Sequence, residues 1–201
     1  EGKGARTAFI TNRGFRDLLT IGRQARRALY ELAPQAVAPP VPHELCLEIG
    51  GRFGADGQVV EPLSADELAV LRDQLAGLAP EAVAIDLLFA FLDPRFEREV
   101  AVAAAAALPE AFIAASHEVL PEVRGYERGI ATWIAASLGP RVAGYLGRLA
   151  AALPGTPIAV MQSSGQTVAA PPAARRAAHL LLSGPAGGLA GARAVAEHCG
   201  M

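Results

Sequence analysis

The amino-acid sequence predicts an α/β fold in which helices flank a largely parallel β-sheet. Residues 82–91, 111–115 and 157–161 are apolar and predict strands, and the first of these runs has the composition of a strand buried on both faces. Segments with helical periodicity separate the strands. Such alternation of strands and helices is typical of parallel sheets. The 201 residues are enough for one or two domains with a hydrophobic core.

Turn-forming residues delimit the elements of the N-terminal part. In chain order, we expect a strand over residues 6–11, a turn at 12–14 and a short helix over 15–21. An extended connector over 34–42 is followed by a strand over 44–53 and by a hairpin turn at 55–57 that leads into residues 59–60. The connector contains four prolines, which disfavour both helix and sheet.

Two helices are predicted in the middle of the chain. Ser64 and Glu67 have the spacing of a capping box, and the helix that they open carries leucines at positions 68, 71, 75 and 78 on one face. Asp86 interrupts the apolar run of residues 82–91. Asp93-Pro94 is expected to end that strand and to open a helix over residues 95–107.

The C-terminal half continues the alternation. After the strand over residues 111–115, we expect a helical region from 122 towards 153 that is interrupted at Gly139-Pro140, a strand over 157–161, a strand end at 180–182, and a helix lined with small residues that includes Gly187, Gly188 and Gly191. Glycine has no Cβ and permits close approach of another backbone, so these glycines indicate a packing or a functional reason.

Composition excludes several classes of function. The net charge of −2 and the absence of a basic cluster argue against a nucleic-acid partner. No segment approaches the roughly 18 apolar residues of a membrane span. Cys46 and Cys199 form no Cys-x-x-Cys pair and are expected to be reduced thiols of a cytoplasmic protein. The histidines lack metal-ligand spacing, so no metal site is predicted.

Ligands of parallel sheets collect at the carboxyl ends of strands. The predicted strand ends are Asp93, Ser116-His117, residues 162–165 and Ser183-Gly184. Ser163, Ser164 and Gly165 could hold a substrate amide or phosphate oxygen, or could only cap a turn. For His117 a surface or capping role is favoured.

Three other charged residues leave alternatives open. Arg23 could clamp a carboxylate or phosphate, or could form a structural ion pair. Asp86 is a functional carboxylate if it is buried, and an edge position or a hydrogen bond to a loop explains it equally well. Arg128 shares a helix face with Arg124, and both could reach the cleft, although a solvated face is favoured.

Five segments resemble conserved blocks of one family. Residues 10–24, which read ITNRGFRDLLTIGRQ, resemble the T-T-x-G-F-x-D-x-L-x-I-G-R-Q signature of the hydantoinase/oxoprolinase family. Residues 84–94, 118–128, 160–165 and 183–192 resemble further blocks in the same order. The chain departs from the usual pattern at Phe96, at Gln166 and at residues 129–131. The resemblance implies part of a lobe of the actin, Hsp70 and sugar-kinase fold, which is ribonuclease H-like.

The resemblance also implies an activity. Family members include ATP-dependent hydrolases of cyclic amides such as hydantoin and 5-oxoproline, which act through amide phosphorylation with Mg²⁺ and a B-type partner subunit or domain. The alternatives are a carboxylase subunit of the acetone or acetophenone type, or a non-catalytic lobe that binds a partner. The family's two phosphate motifs are not in this sequence, so these 201 residues alone are expected to be inactive.

The resemblance implies candidate site residues but identifies no catalytic residue. Candidates for the substrate or nucleotide cleft are Arg23, Gln24, Ser163, Ser164, Gly165, Ser183 and Gly184. Gly187, Gly188 and Gly191 are candidates for packing at a lobe hinge. We expect residues 1–201 to be a single fragment of the N-terminal lobe, with an α/β core to about residue 165 and a lobe-connecting segment over about residues 166–201.

Overall fold

The computed structural model describes residues 4–25, 30, 32 and 38–200. The chain divides into two compact units, Glu1–Ser137 and Leu138–Met201. Residues 34–37 of the predicted proline-rich connector lie outside the described residues, and residues 38–42 form neither helix nor strand.

A parallel sheet forms the centre of the first unit and confirms the predicted fold class. The strands of this unit are β1 (Thr7–Asn12), β2 (Cys46–Ile49), β3 (Arg52–Phe53), β4 (Val59–Glu61), β5 (Ala82–Asp86) and β6 (Phe112–Ala115). Four of them are hydrogen-bonded in the order β2-β1-β5-β6, and every pair is parallel. All residues of β1 and β5 are buried, as expected for central strands that are covered on both faces.

Helices follow the strands of the first unit. They are α1 (Leu18–Ile21), α2 (Ala65–Leu78), α3 (Arg95–Ala107), α4 (Ser116–Val119) and the first part of α5 (Gly125–Ala152), with a 3₁₀ helix at His43–Leu45. The residues of α5 from Leu138 onward belong to the second unit. The capping box is confirmed: the Ser64 hydroxyl accepts the Glu67 N–H at 3.2 Å, and the Glu67 carboxylate accepts the Ser64 N–H at 2.9 Å.

The main hydrophobic core lies on the sheet face that α2 and α3 cover. Leu71 and Leu75 of α2 and Val100 of α3 are buried in it together with residues of β1, β2 and β5, and the half-buried Ile113 of β6 packs against it. The rings of Phe53 and Phe96 stack with centroids 4.5 Å apart. Only one face of α3 packs into this core, so polar residues on its other faces can contact the end of the sheet.

The strand predicted over residues 82–91 is shorter than expected. It ends at Asp86, so Asp86 is its last residue rather than an interruption, and the prediction of a strand end at Asp93 is wrong. Side chains replace the strand ladder beyond this point, since the Leu87 N–H donates to Glu97 and the Leu88 N–H donates to Asn12.

The strand predicted over residues 44–53 is divided into β2 and β3. The break falls at Gly50-Gly51, where Gly51 has a φ of +80° that suits glycine. The Asn12 side-chain amide donates to the carbonyls of both glycines, which fixes the bend. The hairpin predicted after it is confirmed as the antiparallel pair of β3 and β4.

The predicted interruption of the long helix at Gly139-Pro140 is absent, because α5 continues through Pro140. A proline inside a helix removes one backbone donor, and the residues that follow it, up to Ala152, include many strong helix formers that continue the helix.

The second unit contains a hairpin instead of a further parallel strand. Its elements are β7 (Ala159–Met161), β8 (Thr167–Ala169), α6 (Ala170–Arg175), a 3₁₀ helix at Ala177–Leu180 and α7 (Ser183–His198). β7 and β8 pair antiparallel, so the prediction that residues 157–161 add a strand to the parallel sheet is wrong. The five residues between them are too few for a parallel crossover. Residues 180–182 form no strand, and Leu182 has a φ of +59° directly before α7.

The small core of the second unit consists of Leu146, Ala170 and Ala173 with apolar residues of α5, β7 and β8 around them. None of the helices in the described part of the chain has the length and apolar character that crossing a membrane requires.

Candidate functional site

Polar side chains meet at the carboxyl end of the parallel sheet. β1 ends at Asn12, β5 ends at Asp86, and Ser116 follows β6 directly. All three side chains are buried. This edge is where open α/β sheets bind their ligands, so we take the residues around it as the first candidate site.

Arg128 of α5 lies inside this edge and is 1% exposed. Its Nε donates to the Asp86 carboxylate at 2.7 Å and to the Ser116 hydroxyl at 3.0 Å. Its terminal nitrogens donate to the carbonyls of Leu87 and Glu122 at 2.8 and 2.9 Å. The solvated position expected for Arg128 is therefore wrong, because a fixed set of oxygen acceptors compensates its burial.

Asp86 is the buried partner of this guanidinium. Burial raises the pKa of Asp86 to about 7, while the charge of Arg128 acts in the opposite direction. Of the alternatives that the sequence left open, the structure supports a buried carboxylate whose ion pair ties the sheet to α5.

Glu97, in the first turn of α3, is the acceptor at the centre of the network and is fully buried. Its carboxylate accepts the Leu87 N–H at 2.9 Å, the Ser116 hydroxyl at 2.5 Å and the His117 N–H at 3.0 Å, and the His117 Nδ1 lies 2.6 Å away.

His117 is the member of the network that reaches the surface. Its side chain is 11% exposed, with Nδ1 on Glu97 and Nε2 4.0 Å from the exposed carboxylate of Glu118. The expected surface position is wrong for most of this side chain. The Glu97 carboxylate is an acceptor, so a proton on Nδ1 completes this hydrogen bond and leaves Nε2 outside it.

Asn12 braces the same edge. Its amide oxygen accepts the Leu88 N–H at 2.7 Å, and its amide nitrogen donates to Gly50 and Gly51 at 3.3 and 3.2 Å. The turn after β5 and the turn after β2 are thus fixed by one side chain, which makes the edge rigid.

Arg23 and Gln24 lie after α1 in the first unit, and both are exposed. The Arg23 guanidinium forms an ion pair with Glu127, which is the structural alternative that the sequence left open. Gln24 has a φ of +52°, and its N–H donates to the Ile21 carbonyl. A ligand-binding role for these two residues stays a prediction.

In the second unit, Ser163, Ser164 and Gly165 form the turn of the β7–β8 hairpin and not the end of a parallel strand. The Ser163 N–H donates to the His179 carbonyl at 2.8 Å, and the Gln166 N–H lies 3.4 Å from the Ser164 hydroxyl. A surface depression of about 490 Å³ lies between this turn and α7. Its lining residues include Ser163, Ser164, Gly165, Leu182, Pro185 and Arg193.

The start of α7 contributes the remaining predicted residues. Ser183 and Gly184 occupy its first turn, where no side-chain cap is present. A Cβ added at Gly187 would lie 4.0 Å from Met161, and one added at Gly184, Gly188 or Gly191 would meet nothing within 4 Å. The helix buries none of its residues, so its small-residue face is open in this chain.

Sequence reasoning gave no functional role to Glu97 or Arg128. A signal for Glu97 was present, since this acidic residue stands in the apolar stripe of a helix between Phe96 and Val100. Arg128 gave no such signal, because its burial depends on acceptors from β5 and on Ser116 after β6. Among the described residues, no group of three or more histidine, cysteine, aspartate or glutamate side chains is arranged to hold a metal ion. Cys46 is buried, Cys199 is exposed, and both are free thiols.

Family models match most of the chain. Residues 1–108 match the model described as the hydantoinase/oxoprolinase N-terminal region, and residues 128–201 match the model described as hydantoinase/oxoprolinase.

Three relatives match nearly all of the chain but are much longer. An uncharacterized protein of Methanocaldococcus jannaschii is 33% identical over 90% of this chain and 27% of its own length. The caprolactamase subunit alpha of Pseudomonas jessenii is 29% identical over 92% of this chain and 28% of the subunit. The 5-oxoprolinase 1 of Arabidopsis thaliana is 29% identical over 95% of this chain and 16% of its own length. The chain thus spans less than a third of these relatives.

Two solved structures have the same fold over the whole chain. A nucleotide-free acetone carboxylase aligns with a TM-score of 0.83 and 25% identity, covering 98% of this chain and 30% of that chain. The ATP-dependent caprolactamase from Pseudomonas jessenii aligns with a TM-score of 0.80 and 28% identity over the same shares of the two chains.

Proposed function

The chain belongs to the hydantoinase/oxoprolinase family, and we propose that it is part of an ATP-dependent hydrolase of cyclic amides of the hydantoin or 5-oxoproline type. The observation that carries the proposal is the similarity to a caprolactamase in both sequence and fold, along nearly the whole chain. The similarity to a 5-oxoprolinase supports the same class of substrate, a ring closed by an amide bond.

The proposed chemistry follows from the low reactivity of amides. Transfer of a phosphoryl group from ATP to the amide oxygen makes the ring carbon electrophilic enough for water to attack. ATP is a substrate of this reaction, with Mg²⁺ as its counterion. A protein assists phosphoryl transfer mainly by positioning the reactants and stabilising charge. We assign no residue of this chain to Mg²⁺, since the described residues do not include a suitable acidic cluster.

We further propose that the depression in the second unit contacts substrate or phosphate oxygens. Its hydroxyl donors are Ser163 and Ser164, and Gly165 has a φ of +81° that exposes the backbone of the turn. Ser183 and Gly184 begin α7, where a helix has unpaired N–H groups that favour anions. In the first unit, Arg23 and Gln24 are proposed to face the substrate cleft of the complete protein.

The open face of α7 supports a role in packing between lobes. Gly187, Gly188 and Gly191 leave room for close approach of another element. Among the described residues, a Cβ added at Gly188 or Gly191 would meet nothing within 4 Å, and one added at Gly187 would lie 4.0 Å from Met161. We propose that this element belongs to the rest of a two-lobed, actin-like protein. The protein is proposed to act in the cytoplasm with a B-type subunit, which fits a relative that is itself a subunit.

A carboxylase is the second candidate function. The fold similarity to acetone carboxylase is as extensive as that to caprolactamase. In this second proposal the protein phosphorylates a ketone enolate or bicarbonate. A third possibility is that this stretch is a non-catalytic lobe that binds a partner.

The test uses the complete protein with its partner subunit. We expect ADP release that requires hydantoin, 5-oxoproline or caprolactam and is independent of bicarbonate. Release that instead requires acetone or acetophenone together with bicarbonate would identify a carboxylase. The 201-residue chain is the matched control, and ATP turnover by this chain alone would contradict the proposal that the rest of the protein completes the site.

A further inference from the structure

We propose that His117 is the residue that takes the N–H proton of the substrate amide, and that Glu97 positions it. The proposal rests on the proposed function, because it assigns a proton-transfer group to that reaction. It starts from a side-chain pair for which sequence reasoning gave no catalytic role: an imidazole at the sheet edge and a fully buried carboxylate behind it.

The orientation of the imidazole is fixed from the inside. Glu97 Oε2 accepts both the His117 N–H and its Nδ1–H, and Glu97 Oε1 is occupied by Leu87 and Ser116. Glu97 therefore has no freedom to turn away, and the imidazole keeps its proton on Nδ1. A carboxylate that orients a histidine in this way leaves Nε2 as a positioned base.

The network extends behind Glu97 and resists displacement. Ser116 donates to Glu97 and accepts from Arg128, and Arg128 in turn pairs with Asp86. The members of this chain of hydrogen bonds are buried, apart from the edge of His117. A rigid support of this kind is needed to hold a reacting group within a fraction of an ångström.

The exposed side of His117 lies where a substrate would arrive. His117 starts the segment after β6, at the carboxyl edge of the parallel sheet. The charged groups around the imidazole are Glu97 at Nδ1 and Glu118 on the outer side, 4.0 Å from Nε2, with Arg128 behind Ser116. Glu97 lies at Nδ1, and Glu118 is beyond hydrogen-bond distance of Nε2, so neither carboxylate pairs with this nitrogen.

The proposed step balances as follows. The amide oxygen forms a bond to the γ-phosphorus of ATP, and the bond from that phosphorus to the ADP oxygen breaks. The electron pair of the amide N–H bond becomes the second bond between nitrogen and carbon. The proton leaves to Nε2 of His117, which becomes the imidazolium that Glu97 stabilises. The same proton is then available to the ring nitrogen when the C–N bond breaks.

His117→Asn is the decisive variant in the complete protein with its partner subunit. The Asn amide nitrogen reaches the position of Nδ1 and keeps the donor for Glu97, while Nε2 is lost. We expect an unchanged thermal midpoint and a fall in kcat for caprolactam-dependent ADP release of about 100-fold or more, with the KM for ATP within about threefold. The exposed His43→Asn is the matched control and is expected to keep wild-type activity.

A second pair of measurements separates proton transfer from support of the fold. Added imidazole is expected to raise the activity of His117→Ala at least about tenfold, which a structural role does not predict. Glu97→Gln is expected to lower kcat and leave the KM for caprolactam nearly unchanged, because it disturbs the position of the imidazole.

These experiments distinguish failure of the proposed function from failure of the assignment of His117. If wild-type protein releases no ADP with any cyclic amide, the proposed function is wrong and the assignment of His117 falls with it. If wild-type protein is active and His117→Asn retains its activity, only the assignment is wrong. Loss of fold in both His117 variants would show a purely structural histidine and would also overturn the assignment.

Discussion

At the scale of single residues, the buried network shows how polar groups are kept inside an apolar unit. Arg128, Asp86 and Glu97 are buried ionisable groups. Arg128 and Glu97 each have several hydrogen-bond partners, and Asp86 accepts from Arg128. Leaving such a group unpaired costs several kcal/mol, about 3–5 when one partner of a buried ion pair is removed. The arrangement therefore couples β5, β6, α3 and α5 at the edge where ligands bind.

The pKa of Asp86 leads to a prediction about stability and pH. Burial raises it to about 7 in the folded protein, above the value of about 3.9 for an unfolded chain. The folded state thus binds the proton more tightly, so the Asp86 contribution to stability is full below about pH 4 and is lost as the pH rises through about 7. We expect the unfolding free energy of wild type, relative to Asp86→Asn, to decrease over this range in urea titrations. A difference that rises with pH would contradict the assignment.

Gly129 is packed against Asp86 and leaves no room for a Cβ. A Cβ at this position would lie 2.8 Å from Asp86 Oδ2 and 3.4 Å from Leu18 and Leu19. Since Arg128 holds the carboxylate in place, we expect Gly129→Ala to destabilise the protein by about 1–3 kcal/mol. Gly147→Ala on the same helix meets nothing within 4 Å and serves as the control. That control is expected to stabilise the helix by up to about 1 kcal/mol, as judged by chemical denaturation.

At the scale of elements, sequence reasoning succeeded where the signal was local. The capping box and the leucine stripe of α2, and both bounds of α3, depend on residues within one or two turns. It failed where an end or a pairing depends on distant groups. β5 ends at Asp86 because Glu97 and Asn12 take the next two N–H groups, and β7 pairs with β8 because the connection between them is short. The candidate site was recovered in part for the same reason: Asp86 and Ser116-His117 were noticed, whereas Arg128 acquires its acceptors only in the fold.

The cap of α2 gives a prediction at this scale. Ser64→Ala removes the acceptor for the Glu67 N–H and the donor to its carboxylate. We expect a loss of about 1 kcal/mol of unfolding free energy. Ser64→Thr keeps the hydroxyl as both acceptor and donor and is expected to retain most of the stability in the same denaturation experiment. Equal losses in the two variants would show that the cap does not contribute.

At the scale of the whole molecule, the two units differ in how their sheets are built. The central strands β1 and β5 of the first unit are buried along their whole length and have partners on both sides. The second unit has one two-stranded hairpin, most of whose residues are exposed or half-buried, and a long helix that buries nothing. A two-stranded ribbon has little stability of its own without packing against other elements.

This contrast predicts a gradient of local stability. Amides in central strands exchange with solvent only through global unfolding, whereas those in weakly packed elements exchange through local openings. We therefore expect the amide protons of β1 and β5 to exchange most slowly, and those of β7, β8 and α7 to exchange orders of magnitude faster, in hydrogen–deuterium exchange of the 201-residue chain. In the complete protein with its partner subunit, protection of α7 is expected to increase, since the proposed packing covers its glycine face. Unchanged exchange of α7 in the complete protein would contradict a hinge role for Gly187, Gly188 and Gly191.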